Sequence, residues 1–429
     1  RHHRWRSMRI GIVIGRIGGI DGVALETEKW IAVLQRLGHE VHVLVGERED
    51  ACDGATVLPE LAVSHPATIR EHDDAFFVPD ADERELLARL ERDAASIERD
   101  VLAWLDTTAI ELLITQNCTT LPCHLTMGMA LKRVIEHTGI PTIAHDHDFH
   151  WERGDRYHTR YRGVTEIIDE CFPPDLPNLS HVVINSHCRD SLARERNMAA
   201  AVIPNVMDFD NGFGRVDDVN RGLRRELGFA DDDILLFQIT RIVRRKGIET
   251  AIELVERLDD PRVKLVVTGD ATDDWKAGYF SELQRRAARL PRPEQVQFLG
   301  VRFANVRVHA NGSPAQFSLS DGYANAHGCT YFSRYEGFGN AFVEALSARV
   351  PIFVNNYQPV YWPDIGSKGF KTVQIEDNEL TDDAVEGIRR VLTDADHRAD
   401  IAEFNFELGR EHFSYDVLAH LLAPLLAAS

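Results

Sequence analysis

Residues 334–344 read Arg-Tyr-Glu-Gly-Phe-Gly-Asn-Ala-Phe-Val-Glu and place two carboxylates, Glu336 and Glu344, eight positions apart. Between them Gly337, Phe338 and Gly339 make a turn that runs into a helical pattern over 341–348. Glycines leave the amides of a helix's first turn uncovered, and that end of a helix carries partial positive charge. Amides and dipole suit a phosphate, while carboxylates suit sugar hydroxyls. Glu336, Gly337, Phe338, Gly339, Asn340 and Glu344 therefore fit a ligand that bears both. A second run, Thr240-Arg241-Ile242-Val243-Arg244-Arg245-Lys246-Gly247, follows an apolar strand pattern at 234–239 and precedes a helical pattern from 248. Arg241 and Lys246 bracket a strand-to-helix loop, the place where open α/β sheets take ligands. A forked guanidinium and a point-charge ammonium suit a diphosphate. Arg244 and Arg245 read as solvated surface charge.

The two motifs, in this order, resemble the Arg-x4-Lys and Glu-x7-Glu motifs of the retaining nucleotide-sugar glycosyltransferases of family 4, the group 1 or sucrose-phosphate-synthase type, which have the GT-B fold. The resemblance implies that Arg241 and Lys246 neutralise a leaving diphosphate. It implies also that Glu336, with the amides of residues 337–340, orients the donor sugar, and that Glu344 binds the ribose. The donor would be a UDP-, GDP- or ADP-hexose. No cofactor is required, no metal ligands are assigned, and a divalent metal at most stimulates. The transfer would proceed on one face of the sugar without a protein nucleophile, a leaving phosphate oxygen taking the acceptor proton. Gly269 keeps the glycine expected at the end of the strand pattern 263–268, but Ala-Thr-Asp-Asp-Trp at 271–275 replaces the Gly-x-Gly common there. Arg349 stands where a helix-ending glycine is usual, a departure expected to alter local backbone geometry rather than chemistry.

Two further stretches belong to the amino-terminal half. After a first strand at 8–14 comes Gly15-Arg16-Ile17-Gly18-Gly19-Ile20-Asp21-Gly22, in which no glycine triplet has the G-x-G-x-x-G spacing, so a dinucleotide fingerprint is excluded. The resemblance instead makes Gly18, Gly19 and Gly22 a loop that lets backbone approach phosphate or acceptor. The run His145-Asp146-His147-Asp148-Phe149-His150-Trp151-Glu152-Arg153 follows a strand pattern at 140–144. A metal site, a structural loop and a sugar-binding, acceptor-positioning loop compete here. The metal reading lacks a helical pair of histidines at i, i+4 and obvious further ligands. The resemblance favours the sugar-binding loop, with His145 at the reacting centre and His147 second. Arg153, Arg156 and Arg160 lie just beyond, cations suited to receive an anionic acceptor such as a phosphorylated or carboxylated small molecule.

Parallel α/β units must position these residues. Strand and helix patterns alternate from 8 to 198 and again from 234 to 355, with a linker-like stretch at 206–214. The region 51–100 reads as acidic loops apart from a helix at 82–105. Two Rossmann-like lobes with parallel sheets facing a central cleft are expected. Residues 8–205 form the acceptor lobe and 206–400 the donor lobe, and 401–429 are carboxy-terminal helices, the last returning to the first lobe. Residues 1–7 read as a remnant outside the fold. A net charge of −20 argues against nucleic acid as a partner. Six cysteines without paired spacing fit a reducing, cytoplasmic setting, and no apolar run is long enough to span a membrane or mark a secretory leader. The expected activity is hexosyl transfer to a small soluble acceptor: a sugar, a sugar phosphate or a hydroxy acid such as glycerate. A sugar-nucleotide epimerase or hydrolase of the same fold and a non-catalytic nucleotide-sugar binder are the alternatives. Oligomeric state is left open.

Overall fold

The structure, a computed structural model, describes residues 6–17, 21–49, 54–272 and 278–429. The chain divides into two compact units, one formed by residues up to Asn205 together with Asp416–Ser429, the other by Val206–Tyr415.

In the first unit, strands β1 (Arg9–Ile17), β2 (Glu40–Arg48), β3 (Thr56–Val57), β4 (Leu112–Gln116), β5 (Thr142–Asp146), β6 (Leu179–Val183) and β7 (Ala200–Val202) form one sheet. Their order is β3-β2-β1-β4-β5-β6-β7, and every pairing is parallel. β4 (Leu-Leu-Ile-Thr-Gln) and β5 (Thr-Ile-Ala-His-Asp) are buried at all positions, so each carries polar side chains into the interior at its carboxyl end. The first crossover helix, Gly22–Arg36, starts where the Asp21 carboxylate accepts the Ala24 amide at 3.1 Å.

β5 lies two residues later than its sequence pattern indicates, so His145 and Asp146 belong to the strand and not to the loop after it. The acidic stretch before residue 82 is not only loop. It contains the helix Pro66–Phe76, whose buried face is Thr68, Glu71 and Ala75. Only one of these three is apolar, so no hydrophobic period announced it. A helix at Arg162–Cys171 was likewise unanticipated.

The second unit has β8 (Ile234–Gln238), β9 (Val263–Val267), β10 (Val296–Phe298), a small sheet of β11 (Phe303–Ala304), β12 (Val308–Ala310) and β13 (Ser313–Ser318), then β14 (Gly328–Tyr331), β15 (Ile352–Asn355) and β16 (Gln374–Ile375). The main sheet is parallel throughout, in the order β10-β9-β8-β14-β15-β16. One apolar cluster includes Leu236, Leu265 and Val267 from the strands with Leu254, Val255, Ile388 and Leu392 from the helices Ile248–Leu258 and Asp382–Thr393. The crossover helix between β9 and β10 is Tyr279–Ala288. The helix Ala395–Phe413 follows Asp382–Thr393. Arg349 adopts φ +55°, the left-handed conformation for which glycine is favoured. Its guanidinium lies over the Phe406 ring and pairs with Glu403 at 2.8 Å, contacts that hold it there. No helix among the described residues is long and apolar enough to cross a membrane.

Candidate functional site

In the second sheet the chain leaves β8 toward β9 and β10 on one side, whereas β14 leads to β15 and β16 on the other. The loops after β8 and β14 therefore diverge from neighbouring strands, the arrangement that opens a crevice at the carboxyl ends of a parallel sheet. Gln238, fully buried at the end of β8, accepts the Thr330 hydroxyl at 2.7 Å and donates to the Thr240 hydroxyl at 2.8 Å. These bonds tie the start of the Arg241 loop to β14. Gly269 presses against the same loop: a Cβ there would stand 1.8 Å from the Thr240 carbonyl oxygen. Arg241 itself is exposed.

Lys246 ends a short turn, Arg244–Lys246, followed by Gly247 at φ +61°. A side chain at Gly247 would meet the Phe332 carbonyl, so only glycine lets the two loops approach this closely. Across that contact the Lys246 ammonium donates to Glu336 Oε1, which also accepts the Ser333 hydroxyl at 2.8 Å. Arg245 reaches Glu336 Oε2 at 3.2 Å and the Tyr335 carbonyl at 3.2 Å. Arg245 is thus part of the cluster and not a solvated surface charge. Arg244 does pair at the surface, with Glu282. Burial pushes the Glu336 carboxyl up, but Lys246 and Arg245 together outweigh it and hold the group below the usual carboxylate range. Lys246 moves down, because burial and the neighbouring arginines exceed the pull of Glu336. Two cations share one carboxylate, with Arg241 close by. The cluster carries surplus positive charge in a chain of net charge −20, an arrangement suited to an oligoanion.

The helix Asn340–Ser347 starts at Gly339, φ +129°, without a side-chain cap. Gly339 is pinned by Tyr357, whose hydroxyl donates to the Phe338 carbonyl at 2.5 Å. The Phe338 ring is buried edge-on to Phe413 at 5.6 Å, so its side chain serves the core. Gly337 and Asn340 are partly exposed at the same turn. Glu344, one turn into the helix, accepts the hydroxyl of buried Tyr323 at 3.0 Å.

In the first unit the switch in strand order falls between β1 and β4. His145 on β5 shares a hydrogen bond with Gln116 on β4, Nδ1 to Oε1 at 2.8 Å, and stacks on Trp30 at 4.0 Å. His147 lies 4.4 Å from His145, centroid to centroid. Burial holds His145 well below its ordinary pKa and His147 at about 4, so both rings are neutral hydrogen-bonding groups. Their Nε2 atoms are buried without a protein partner, which costs about 1–3 kcal/mol each unless a ligand or solvent supplies one. Asp146, next along the strand, points to the other face and binds His181 Nδ1 at 2.8 Å. That alternation scatters the His-Asp-His run, and among the described residues no group of three or more His, Cys, Asp or Glu is placed to hold a metal ion. Gly22 begins the first helix, whereas Gly18 and Gly19 lie outside the described residues. Arg153 is paired to Asp148. Arg245 reads from sequence as surface charge, and Tyr323, Gln116, Trp30 and His181 carry no sequence signal, since each acts through a partner remote in the chain; Ser333 lies three residues before Glu336 but within an ordinary-looking loop.

Comparison with known proteins adds relatives to this geometry. The family model for glycosyl transferases group 1 matches residues 220–407. Mannosylglucosylglycerate synthase of Thermotoga maritima is 31% identical, over 97% of this chain and 99% of that protein. The enzyme of the same name from Petrotoga mobilis is 30% identical over 86% of each. Anabaena HepE, solved in complex with UDP-glucose, superposes with a TM-score of 0.65 at 15% identity, over 98% of this chain and all of that one. That likeness shows the fold, the GT-B class.

Proposed function

The chain belongs to the group 1 glycosyl transferases, and from that premise we propose that it transfers a hexosyl group, with retention, from a nucleoside-diphosphate hexose to a small glycerate-bearing acceptor. The Lys246–Glu336 pair at the switch point of the second sheet is the observation that carries this reading. On arrival of the donor, Arg241 and Lys246 take the diphosphate charge, and Arg245 keeps Glu336 compensated when Lys246 turns toward phosphate. Glu336 and the amides at the Gly337–Gly339 turn orient the hexose. Glu344, braced by Tyr323, receives the ribose hydroxyls. His145 and His147, held neutral, offer hydrogen bonds to sugar hydroxyls.

In the transfer step the bond from the anomeric carbon to the leaving phosphate oxygen breaks, and a bond to the acceptor hydroxyl oxygen forms on the same face. The hydroxyl proton passes to the leaving phosphate oxygen. Rate then comes from positioning and from charge stabilisation by Arg241 and Lys246. The acceptor class is supported by the two relatives whose name specifies a mannosylglucosylglycerate product. The hexose by the same token is mannose, and the acceptor a glucosylglycerate.

The test is nucleoside diphosphate release from a panel of UDP-, GDP- and ADP-hexoses, each with and without glycerate and glucosylglycerate. Release from one donor that rises with acceptor is expected. Release indifferent to acceptor would indicate an epimerase or hydrolase, and none from any donor a binding protein. Either result would overturn the proposal.

A further inference from the structure

Three arginines stand beyond β5: Arg153 ends the short turn His150–Arg153, and Arg156 and Arg160 follow it. They are held in different ways. Arg153 is paired to Asp148, and Arg160 donates to the Pro79 carbonyl and lies 3.9 Å from Asp80. Arg156 has no carboxylate within ion-pair distance among the described residues, although the chain holds 68 acidic side chains against 48 basic ones. Rings surround it instead. Its guanidinium carbon lies 4.8 Å from the Phe77 ring centre and 4.6 Å from that of Tyr157, and one of its nitrogens is 2.6 Å from His72 Nε2. Burial first, and then Arg156 itself, hold His72 below its ordinary pKa, so the neutral ring accepts from the guanidinium. Phe76 packs edge-on to Tyr157 at 5.5 Å and against His72 at 5.0 Å, which fixes the rings around the arginine.

Stacking on aromatic faces immobilises a guanidinium without spending its charge, and its planar edge remains a two-pronged donor. Phe77 is 59% exposed although it is a large apolar ring, so the assembly is open to solvent. Its parts come from the segments that follow β3 and β5, at the carboxyl ends of the first sheet, where an open α/β unit takes its ligands.

We infer that Arg156 is the receptor for the carboxylate of the acceptor, and hence the residue that selects a glycerate-bearing acceptor over a neutral one. This rests on the transferase reading given above. A single planar fork with one positive charge matches a carboxylate in shape and in charge.

The experiment compares glucosylglycerate, its methyl ester and glucosylglycerol as acceptors at saturating donor, for the unaltered protein, Arg156→Gln and Arg156→Lys. The unaltered protein is expected to favour the carboxylate acceptor about 10–100-fold in kcat/KM, the range of a charge-assisted hydrogen bond. Arg156→Gln collapses that ratio toward one through acceptor KM, with donor KM within about twofold. Arg156→Lys, which restores charge but not the fork, recovers part of it. Melting temperatures within a few degrees of the unaltered protein show that the variants fold. Discrimination retained in Arg156→Gln, or absent from the unaltered protein while transfer proceeds, overturns the inference and leaves the transferase reading standing. Absence of transfer to all three acceptors overturns both.

Discussion

Replacing Lys246 by Met and Glu336 by Gln, singly and together, tests the second unit's cluster through both stability and rate. Glu336 accepts from Lys246, from Arg245 at 3.2 Å and from Ser333 at 2.8 Å, with the Tyr331 hydroxyl also beside it. Lys246→Met removes one donor and also relieves the desolvation that already lowers the lysine's pKa. The carboxylate stays compensated. A lost hydrogen bond to a charged group is worth about 1.5–3 kcal/mol, so after that relief the net cost is about 1–2 kcal/mol. For a unit of this size this lowers Tm by about 2–8 °C. Glu336→Gln does the reverse. It leaves Lys246, 9% exposed, beside Arg245 with no anion between them. Stranding a buried charge costs about 3–5 kcal/mol. The double variant strands nothing and should be no less stable than Glu336→Gln alone, giving a coupling energy of about 1–3 kcal/mol.

Turnover separates the cluster's structural part from its chemical one. Loss of a donor to developing negative charge commonly lowers kcat by about 10²–10³, so Lys246→Met should fall that far while remaining folded. The assay is nucleoside diphosphate release beside scanning calorimetry on the same preparations. Additive Tm changes would refute the pairing. Turnover near that of the unaltered protein in Lys246→Met would refute the phosphate role even if the pairing held.

Two other outcomes follow from the titrating groups. Lys246 must be protonated to hold phosphate, and its pKa lies below 10.5, partly because Arg245 repels it; the alkaline limb of kcat/KM should therefore lie below that pH, and Arg245→Gln should move it upward. In the first unit His124 and His147 are held at about 4, first by burial; the unfolded chain takes up their protons near 6.5 while the folded one does not, so the stability they allow is complete above about pH 6.5 and drains as pH falls to about 4, by about 3 kcal/mol per histidine, and calorimetry from pH 7 to 4.5 should show the transition that carries this unit falling, a flat profile refuting their neutrality.

The parallel strands and most crossover helices were legible because burial on both faces makes runs such as 234–237 continuously apolar. Arg241, Lys246, Glu336 and Glu344 stood out because glycines and charges together are out of place at the end of such a run. What stayed hidden depends on partners remote in sequence. Arg245 looks like any surface arginine until Glu336, far along the chain, is placed against it. The helix Pro66–Phe76 buries Glu71 and Thr68, so its inward face mimics a solvated one. The left-handed backbone at Arg349 is written nowhere in its side chain, only in the contacts with Glu403 and Phe406 that hold it.

The same device recurs at the two switch points. β8 ends in Gln238 and β4 in Gln116, each a buried amide at the end of a strand whose first three residues are apolar. A buried amide that loses its partner costs about 1–3 kcal/mol, so the choice of partner fixes what lies next to it. Gln238 spends its amide on Thr330 and Thr240 and thereby fixes the start of the Arg241 loop against β14. Gln116 spends its oxygen on His145 Nδ1, which places the ring proton there and leaves Nε2 with its lone pair outward from that bond. In a strand of leucines a one-residue slip would exchange one apolar side chain for another at modest cost. With the glutamine in place, the slip would bury an amide against hydrocarbon. Each amide thus locks strand register and carries that precision to the group it holds, the start of the Arg241 loop in one unit and His145 on the neighbouring strand in the other.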